Sequence, residues 1–286
     1  MKRIPTLLIL ISIALSTTLL SCSTNKEENT ATETTQETEQ ATPKATQING
    51  EEVDYATEST PLKGYIAYDA NQEGKRPGIL VVHEWWGHND YVRKRADMLA
   101  ELGYVALAVD MYGEGKQAEH PEDAGKFSGQ VMSNIDEAKA RFESAMEVLK
   151  SNPNVDTEKI AAIGYCFGGS VVLSMANAGY DLDAVAAFHA GVQLPIQPAD
   201  DVKAKVLVQN GADDPFVSAE SVEAFKNSME EAGVDYEYID YPGAVHAFTS
   251  PDADELGKKF ELPLAYQKEA DEASWQKMKE LFNSVF

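Results

Sequence analysis

The chain has 286 residues and a formal net charge of −23, from 47 acidic against 24 basic side chains. So acidic a chain argues against nucleic acid as a partner, because phosphates require Lys and Arg contacts, and against adsorption of the domain surface to anionic lipid. The stretch from about Ile48 to Phe286 is long enough for one well-buried core and shows no internal repeat.

In chain order, Met1 to Ser21 reads as a signal peptide. Lys2 and Arg3 give the positive start, and Leu7 to Leu20 is an apolar run too short for a stable membrane span. It ends in Leu19-Leu20-Ser21-Cys22, which resembles a bacterial lipobox and marks Cys22 as the lipid-bearing residue. Ser23 after it is not the acidic residue that retains many lipoproteins in the inner membrane, so the expected site is the cell envelope, at the outer membrane. Residues 22–47 should form a lipid-anchored disordered linker. The segment is rich in Thr, Glu, Gln and Ala, with no aromatic residue and little else to bury against its ordering entropy. Residues 48–286 then form the folded domain. The chain has two cysteines; with Cys22 lipidated, Cys166 stands alone and no disulfide can form within the chain.

The folded part alternates strands and helices. Lys63 to Tyr68 reads as an edge strand, and Gly78 to His83 and Tyr104 to Asp110 as buried strands. Between them, Asn89 to Leu102 carries Val92, Ala96, Leu99 and Leu102 at helical spacing, with Gly103 to end the helix. Gly113 and Gly115 open a turn and a long polar stretch. Asn134 to Lys150 is an amphipathic helix. Ile160 to Gly164 is a strand, Phe167 to Asn177 an apolar helix, and Ala184 to His189 and Lys205 to Asn210 two more buried strands. Ser218 to Ala232 is helical, Val234 to Tyr241 alternates as an outer strand should, and Ala253 to Phe286 is largely helical. Helices between hydrophobic strands imply an α/β fold, a mostly parallel sheet covered on both faces.

The chemistry centres on Gly164-Tyr165-Cys166-Phe167-Gly168-Gly169. A residue in a tight strand-to-helix turn needs glycines around it because the backbones approach closely. The turn lifts its side chain above the sheet at the positive end of the next helix, where a thiolate is stabilised. The backbone N–H of Phe167 would face a developing oxyanion. The alternative is an inert buried cysteine at such a junction. In this arrangement the acid and then the histidine follow the nucleophile along the chain. Asp213 and Asp214, just past the strand ending at Asn210, both qualify as the acid; His246, past the strand ending at Tyr241, qualifies as the base.

These motifs, with His83-Glu84-Trp85-Trp86-Gly87 and Asp110-Met111-Tyr112, resemble the dienelactone hydrolase family over about residue 62 to the C-terminus. The resemblance implies the α/β-hydrolase fold and a triad of Cys166, Asp214 and His246; Asp214 stands three before Val217, as the family acid does. It also implies that Glu84 helps to control ionisation of the thiol and that the Trp85 backbone N–H is the second oxyanion donor. Trp86 is expected to pack. Members that act on dienelactone hold the substrate carboxylate with arginines at two places that here are Glu114 and Ser250, so an anionic lactone is a doubtful substrate. His83, His88 and His189 could instead face the pocket, or be structural.

The reaction expected is hydrolysis of a small-molecule ester or lactone through a thioester, favouring activated esters and enol-lactones. No cofactor or metal is called for by any visible motif. Two alternatives stay open: a ligand-binding lipoprotein without turnover, and a thiol redox protein, though no C-x-x-C or resolving cysteine is present.

Overall fold

The computed structural model describes residues 45–286. Cys22, the expected signal peptide and most of the expected linker lie outside them. Two of the three linker residues that are described already touch the domain: Asn71 donates to the Ala45 carbonyl, and the Gln47 N–H donates to Asp69 Oδ1.

Eight strands form one sheet. They are β1 (Ile48–Ala56), β2 (Pro61–Asp69), β3 (Arg76–Val82), β4 (Val105–Val109), β5 (Val155–Tyr165), β6 (Ala184–Phe188), β7 (Lys205–Gly211) and β8 (Tyr236–Tyr241). Their spatial order is β1-β2-β4-β3-β5-β6-β7-β8. The first three in that order pair antiparallel, and every pairing from β4 to β8 is parallel. The β3, β4 and β6 strands read as continuous apolar runs because helices cover both faces, so neither set of alternating side chains meets water.

Helices α1 (Asp90–Glu101) and α7 (Lys268–Val285) pack on one face through Val92, Ala96, Leu99, Met278 and Phe282, against Ile79 and Val81. Helices α2 (Pro121–Ser133), α3 (Ile135–Ser151), α4 (Phe167–Asn177) and α5 (Ala219–Glu231) cover the other. There Phe142, Leu149, Val172 and Phe225 meet Leu80 and Val82. Helix α6 (Ala253–Phe260) lies in the segment after β8. The Gly103 cue at α1 works as expected: with φ +93°, it donates its N–H to Ala100 at the C-terminal end. At the other end the Asn89 side chain accepts from the Val92 N–H.

Two features differ from the sequence reading. The strand expected at the edge, within β2, lies one place in. β1 takes the edge and pairs along all of β2. Its Ile-Asn-Gly-Glu-Glu-Val-Asp-Tyr-Ala run is mostly solvated and charged, which suits an edge but hides the period of two. The polar stretch after Gly115 contains α2. His120 caps it, Pro121 opens it, and Glu122 and Asp123 sit in its first turn. Its buried apolar residues are only Ala124 and Val131, and interior glycines at 125 and 129 each disfavour a helix by about 1 kcal/mol relative to Ala.

Helix α7 holds the far face through few buried side chains. Phe282→Ala should therefore cost about 3–5 kcal/mol. In urea unfolding this would appear as a lower midpoint at unchanged m-value.

Candidate active site

β5 ends at Tyr165 and α4 begins at Phe167, so Cys166 alone makes the turn. It holds φ 53° and ψ −116°, a strained conformation for a side chain with a Cβ. The turn is held by the Cys166 N–H, which donates to Phe188 of β6 at 2.9 Å, and by contact too close for side chains. A Cβ on Gly168 would strike the backbone of Val82 and His83, and one on Gly164 would strike the backbone of Gly168. Cys166 Sγ thus stands at the N-terminal end of an 11-residue helix. Phe167, as the first residue of that helix, has an N–H with no acceptor within it.

His246 lies in the loop after β8. Its ring accepts no freedom: Nδ1 is 2.7 Å from Asp214 Oδ2 and Nε2 is 3.1 Å from Cys166 Sγ. The carboxylate can only accept, so Nδ1 carries hydrogen and Nε2 faces the sulfur. Asp214 is buried in the turn after β7, where its other oxygen accepts from the Phe216 N–H at 2.8 Å. Asp213, the other acid that qualified by sequence, is exposed. Burial works against a charged His246, but the Cys166 sulfur and the Asp214 carboxylate outweigh it and push the imidazole up to about 10.

Glu84, just past β3, is buried. Desolvation raises its carboxyl to about 7, against the opposing pull of His246 and Arg95. His189 Nε2 approaches it at 3.8 Å, too far for a hydrogen bond. Burial, with His246 and Arg95 nearby, also holds His189 well below the ordinary imidazole range, so the two do not form an ion pair. His189 Nε2 is instead 2.8 Å from Thr249 Oγ1, which is 2.6 Å from the Tyr91 hydroxyl.

The remaining sequence candidates separate cleanly. His83 accepts from the Met111 N–H at Nε2, so Nδ1 donates to the Glu84 carbonyl at 2.6 Å; desolvation lowers its ring to about 4. His88 donates from Nε2 to the Ala108 carbonyl. Neither of these lines the cavity above Cys166, and nor does His189. Trp86 is buried and stacks on Phe260, whereas Trp85 lines the cavity and its carbonyl accepts from the Tyr112 hydroxyl. Glu114 is exposed and pairs with Lys116, and Ser250 is buried; neither lines the cavity.

The cavity over Cys166 and His246 has a volume of about 390 Å³. Its walls are Trp85, Met132, Phe167, Phe216 and Leu264, and among the described residues no Lys or Arg lines it. A larger depression of about 520 Å³ beside α5 and β8 is lined by Glu223, Lys226, Glu230 and Asp240, and neither Cys166 nor His246 borders it. Sequence reading missed Met132, Phe216 and Leu264. Phe216 lay inside the turn motif already singled out, while Met132 sits on the unrecognised α2.

A cysteine on a strand-to-helix turn of a mostly parallel eight-stranded sheet, facing an Asp-supported histidine, defines an α/β-hydrolase. The Dienelactone hydrolase family matches residues 62–286, and the chain belongs to it. The chain is 31% identical over 204 residues to "Protein usf" of Aquifex pyrophilus, covering 70% of this chain and 87% of that protein. Among solved structures it is similar to m3DLH, with TM-score 0.79 and 36% identity over 84% of this chain and 99% of that one. It is also similar to a dienelactone hydrolase-like promiscuous phosphotriesterase from metagenomic libraries. That match has TM-score 0.78 and 34% identity, with the same shares of the two chains covered. The chain is accordingly a carboxylic ester hydrolase.

Because the folded-state carboxyl of Glu84 is raised from 4.5 to about 7, the folded state holds a proton that the unfolded chain releases in that window. Its contribution to stability is full below the unfolded value and is lost as pH rises toward about 7. Glu84→Gln should remove that loss, on the order of 3 kcal/mol at most. Urea unfolding of both proteins at about pH 5 and about pH 8 measures it, and an unchanged pH slope would rule it out.

Proposed function

We propose that the chain hydrolyses uncharged, activated esters or lactones with Cys166 as nucleophile, through a thioester. The observation that carries this reading is the Asp214–His246–Cys166 chain, at 2.7 and 3.1 Å, on the floor of an apolar cavity. The thiolate of Cys166 attacks the carbonyl carbon and forms a C–S bond. The carbonyl electron pair moves to oxygen, which the backbone N–H groups of Phe167 and Trp85 receive. Collapse breaks the C–O bond, and the His246 imidazolium gives its Nε2 proton to the leaving oxygen. His246, now neutral, takes a proton from water as the hydroxide adds to the thioester. Collapse then releases the acid and returns the thiolate, with the proton on His246. Asp214 keeps Nδ1–H in place and stabilises the imidazolium. Glu84, buried beside this pair, disfavours a second negative charge there while it is ionised, which suits control of the thiol.

A thiolate expels a phenolate or enolate more readily than an alkoxide, so aryl esters and enol-lactones are the favoured substrates. The want of a basic residue in the cavity wall favours neutral ones. Because a 34% identical relative is described as a promiscuous phosphotriesterase, an aryl phosphotriester belongs in the same screen.

The chain is also read as a lipoprotein: residues 1–21 a signal peptide, Cys22 the lipid-bearing first residue, and the enzyme held in the cell envelope at the outer membrane. The support is the lipobox-like Leu19-Leu20-Ser21-Cys22 after a short apolar run. Among the described residues, no helix is long and apolar enough to cross a membrane.

Two measurements test these readings. Full-length protein should hydrolyse p-nitrophenyl acetate, and Cys166→Ala should lower kcat by roughly 10³-fold or more, with Asp214→Asn down roughly 10²-fold or more. A Cys166→Ala enzyme of undiminished rate would overturn the cysteine mechanism. For the anchor, metabolic labelling with an alkyne fatty acid should tag the wild type and not Cys22→Ser; label retained on the variant would refute Cys22 as acceptor.

A further inference from the structure

Helix α2 carries glycine at 125 and 129 in its interior, and neither usual reason for a glycine applies. Both lie in right-handed helix, and a Cβ added at either meets nothing within 4 Å. They therefore allow neither a positive φ nor a close packing of backbones, yet each weakens the helix. Gly164, Gly168 and Gly211 are the opposite case, because a Cβ there would strike backbone.

Both glycines are exposed and stand where α2 borders the cavity above Cys166. Gly125, Ser128, Gly129 and Met132 all line it, and their spacing of three, four and seven puts them on one face of the helix. The Cβ positions missing at 125 and 129 therefore lie on the face that carries the Ser128 and Met132 side chains. The two serine hydroxyl hydrogens here are already donated. Ser128 Oγ donates to the Ala124 carbonyl at 2.8 Å, and Ser170 Oγ donates to the Gly191 carbonyl at 2.8 Å. The same cavity is lined by the rings of Trp85, Phe167 and Phe216. A mostly apolar, ring-lined cavity with side chains missing at two places on its helical border suits a flat, uncharged ring.

Resting on the hydrolase reading above, we infer that Gly125 and Gly129 determine specificity, keeping the cavity open for an uncharged aromatic group of the ester. Side chains grown from α2 should exclude that group while leaving the nucleophile in place.

The test compares full-length wild type with Gly125→Leu, Gly129→Leu and the two Gly→Ala variants. One assay is kcat/KM on p-nitrophenyl acetate against trifluoroethyl acetate, which share the acetyl group. A second needs no turnover: the rate of Cys166 alkylation by N-phenyl iodoacetamide against iodoacetamide, read by mass spectrometry on the Cys166 peptide. Each Leu variant should lower the aromatic-to-small ratio in both assays by roughly tenfold. The Ala variants should lower it less and should raise Tm, because the helix gains and nothing is crowded. Ratios unchanged in all four variants, or an Ala variant with lowered Tm, would overturn the inference. Wild type that turns over neither ester but keeps the alkylation ratio, with the ratio falling in the Leu variants, would support the ring-binding cavity and refute the hydrolase reading instead.

Discussion

Cys166 sits at φ 53° because the chain has no room to do otherwise. β5 delivers the backbone under β3's end, α4 starts one residue later, and Gly164 and Gly168 let the two segments approach to distances that a methyl group would forbid. The strain of one left-handed cysteine is on the order of 1–3 kcal/mol. It is offset by the buried sheet on either side, where β5 pairs with both β3 and β6. The rest of the site depends on that turn. It aims Sγ at His246, sets the sulfur at the helix N-terminus and exposes the Phe167 N–H to whatever occupies the cavity.

The histidine needs its own support, since it comes from a loop. Three residues beyond His246, the Thr249 carbonyl accepts from the Arg95 guanidinium at 2.7 Å, and the same group pairs with Asp271 of α7 at 2.6 Å. Arg95 also lies 5.2–5.3 Å from the rings of Tyr91, Tyr165 and Trp275. A buried cation with this many partners ties α1, α7 and the histidine loop together. Loss of either partner of such a pair leaves an uncompensated charge, at about 3–5 kcal/mol. The rigidity of the His246 loop is thus supplied from the face of the sheet that carries α1 and α7.

The chain carries strong negative charge, yet the cavity is almost wholly apolar. Among the described residues, its only ionisable lining groups are Cys166 and His246. Nearby charge is buried: Glu84 lies beside the pair, and Asp214 is spent on Nδ1. Field from the acidic exterior would repel an anionic substrate, and among the described residues no arginine in the wall offers compensation. These observations support the proposal of a neutral substrate.

Much of this was legible in the sequence. The buried strands, α1 with its Gly103 stop, and α3, α4 and α5 follow from periodicity. The order Cys166, Asp214, His246 follows from strand-end motifs. The strand β1 and the helix α2 did not, because a solvated edge and a glycine-bearing, weakly apolar helix leave little periodic signal. Adjacent Asp213 and Asp214 are chemically alike; the family resemblance, by the count to Val217, points to Asp214, and the turn after β7 is what buries it against His246. The histidines at 83, 88 and 189 are equally alike as letters; their partners, the Met111 N–H, the Ala108 carbonyl and the Thr249 hydroxyl, come from elsewhere in the fold and hold them away from the cavity. Local sequence determined the Cys166 turn, since glycines and strand–helix pattern act over a few residues. The cavity's shape and neutrality come from α2, Trp85, Phe216 and Leu264, residues far apart in the chain, so only the packed sheet and its helices could decide them.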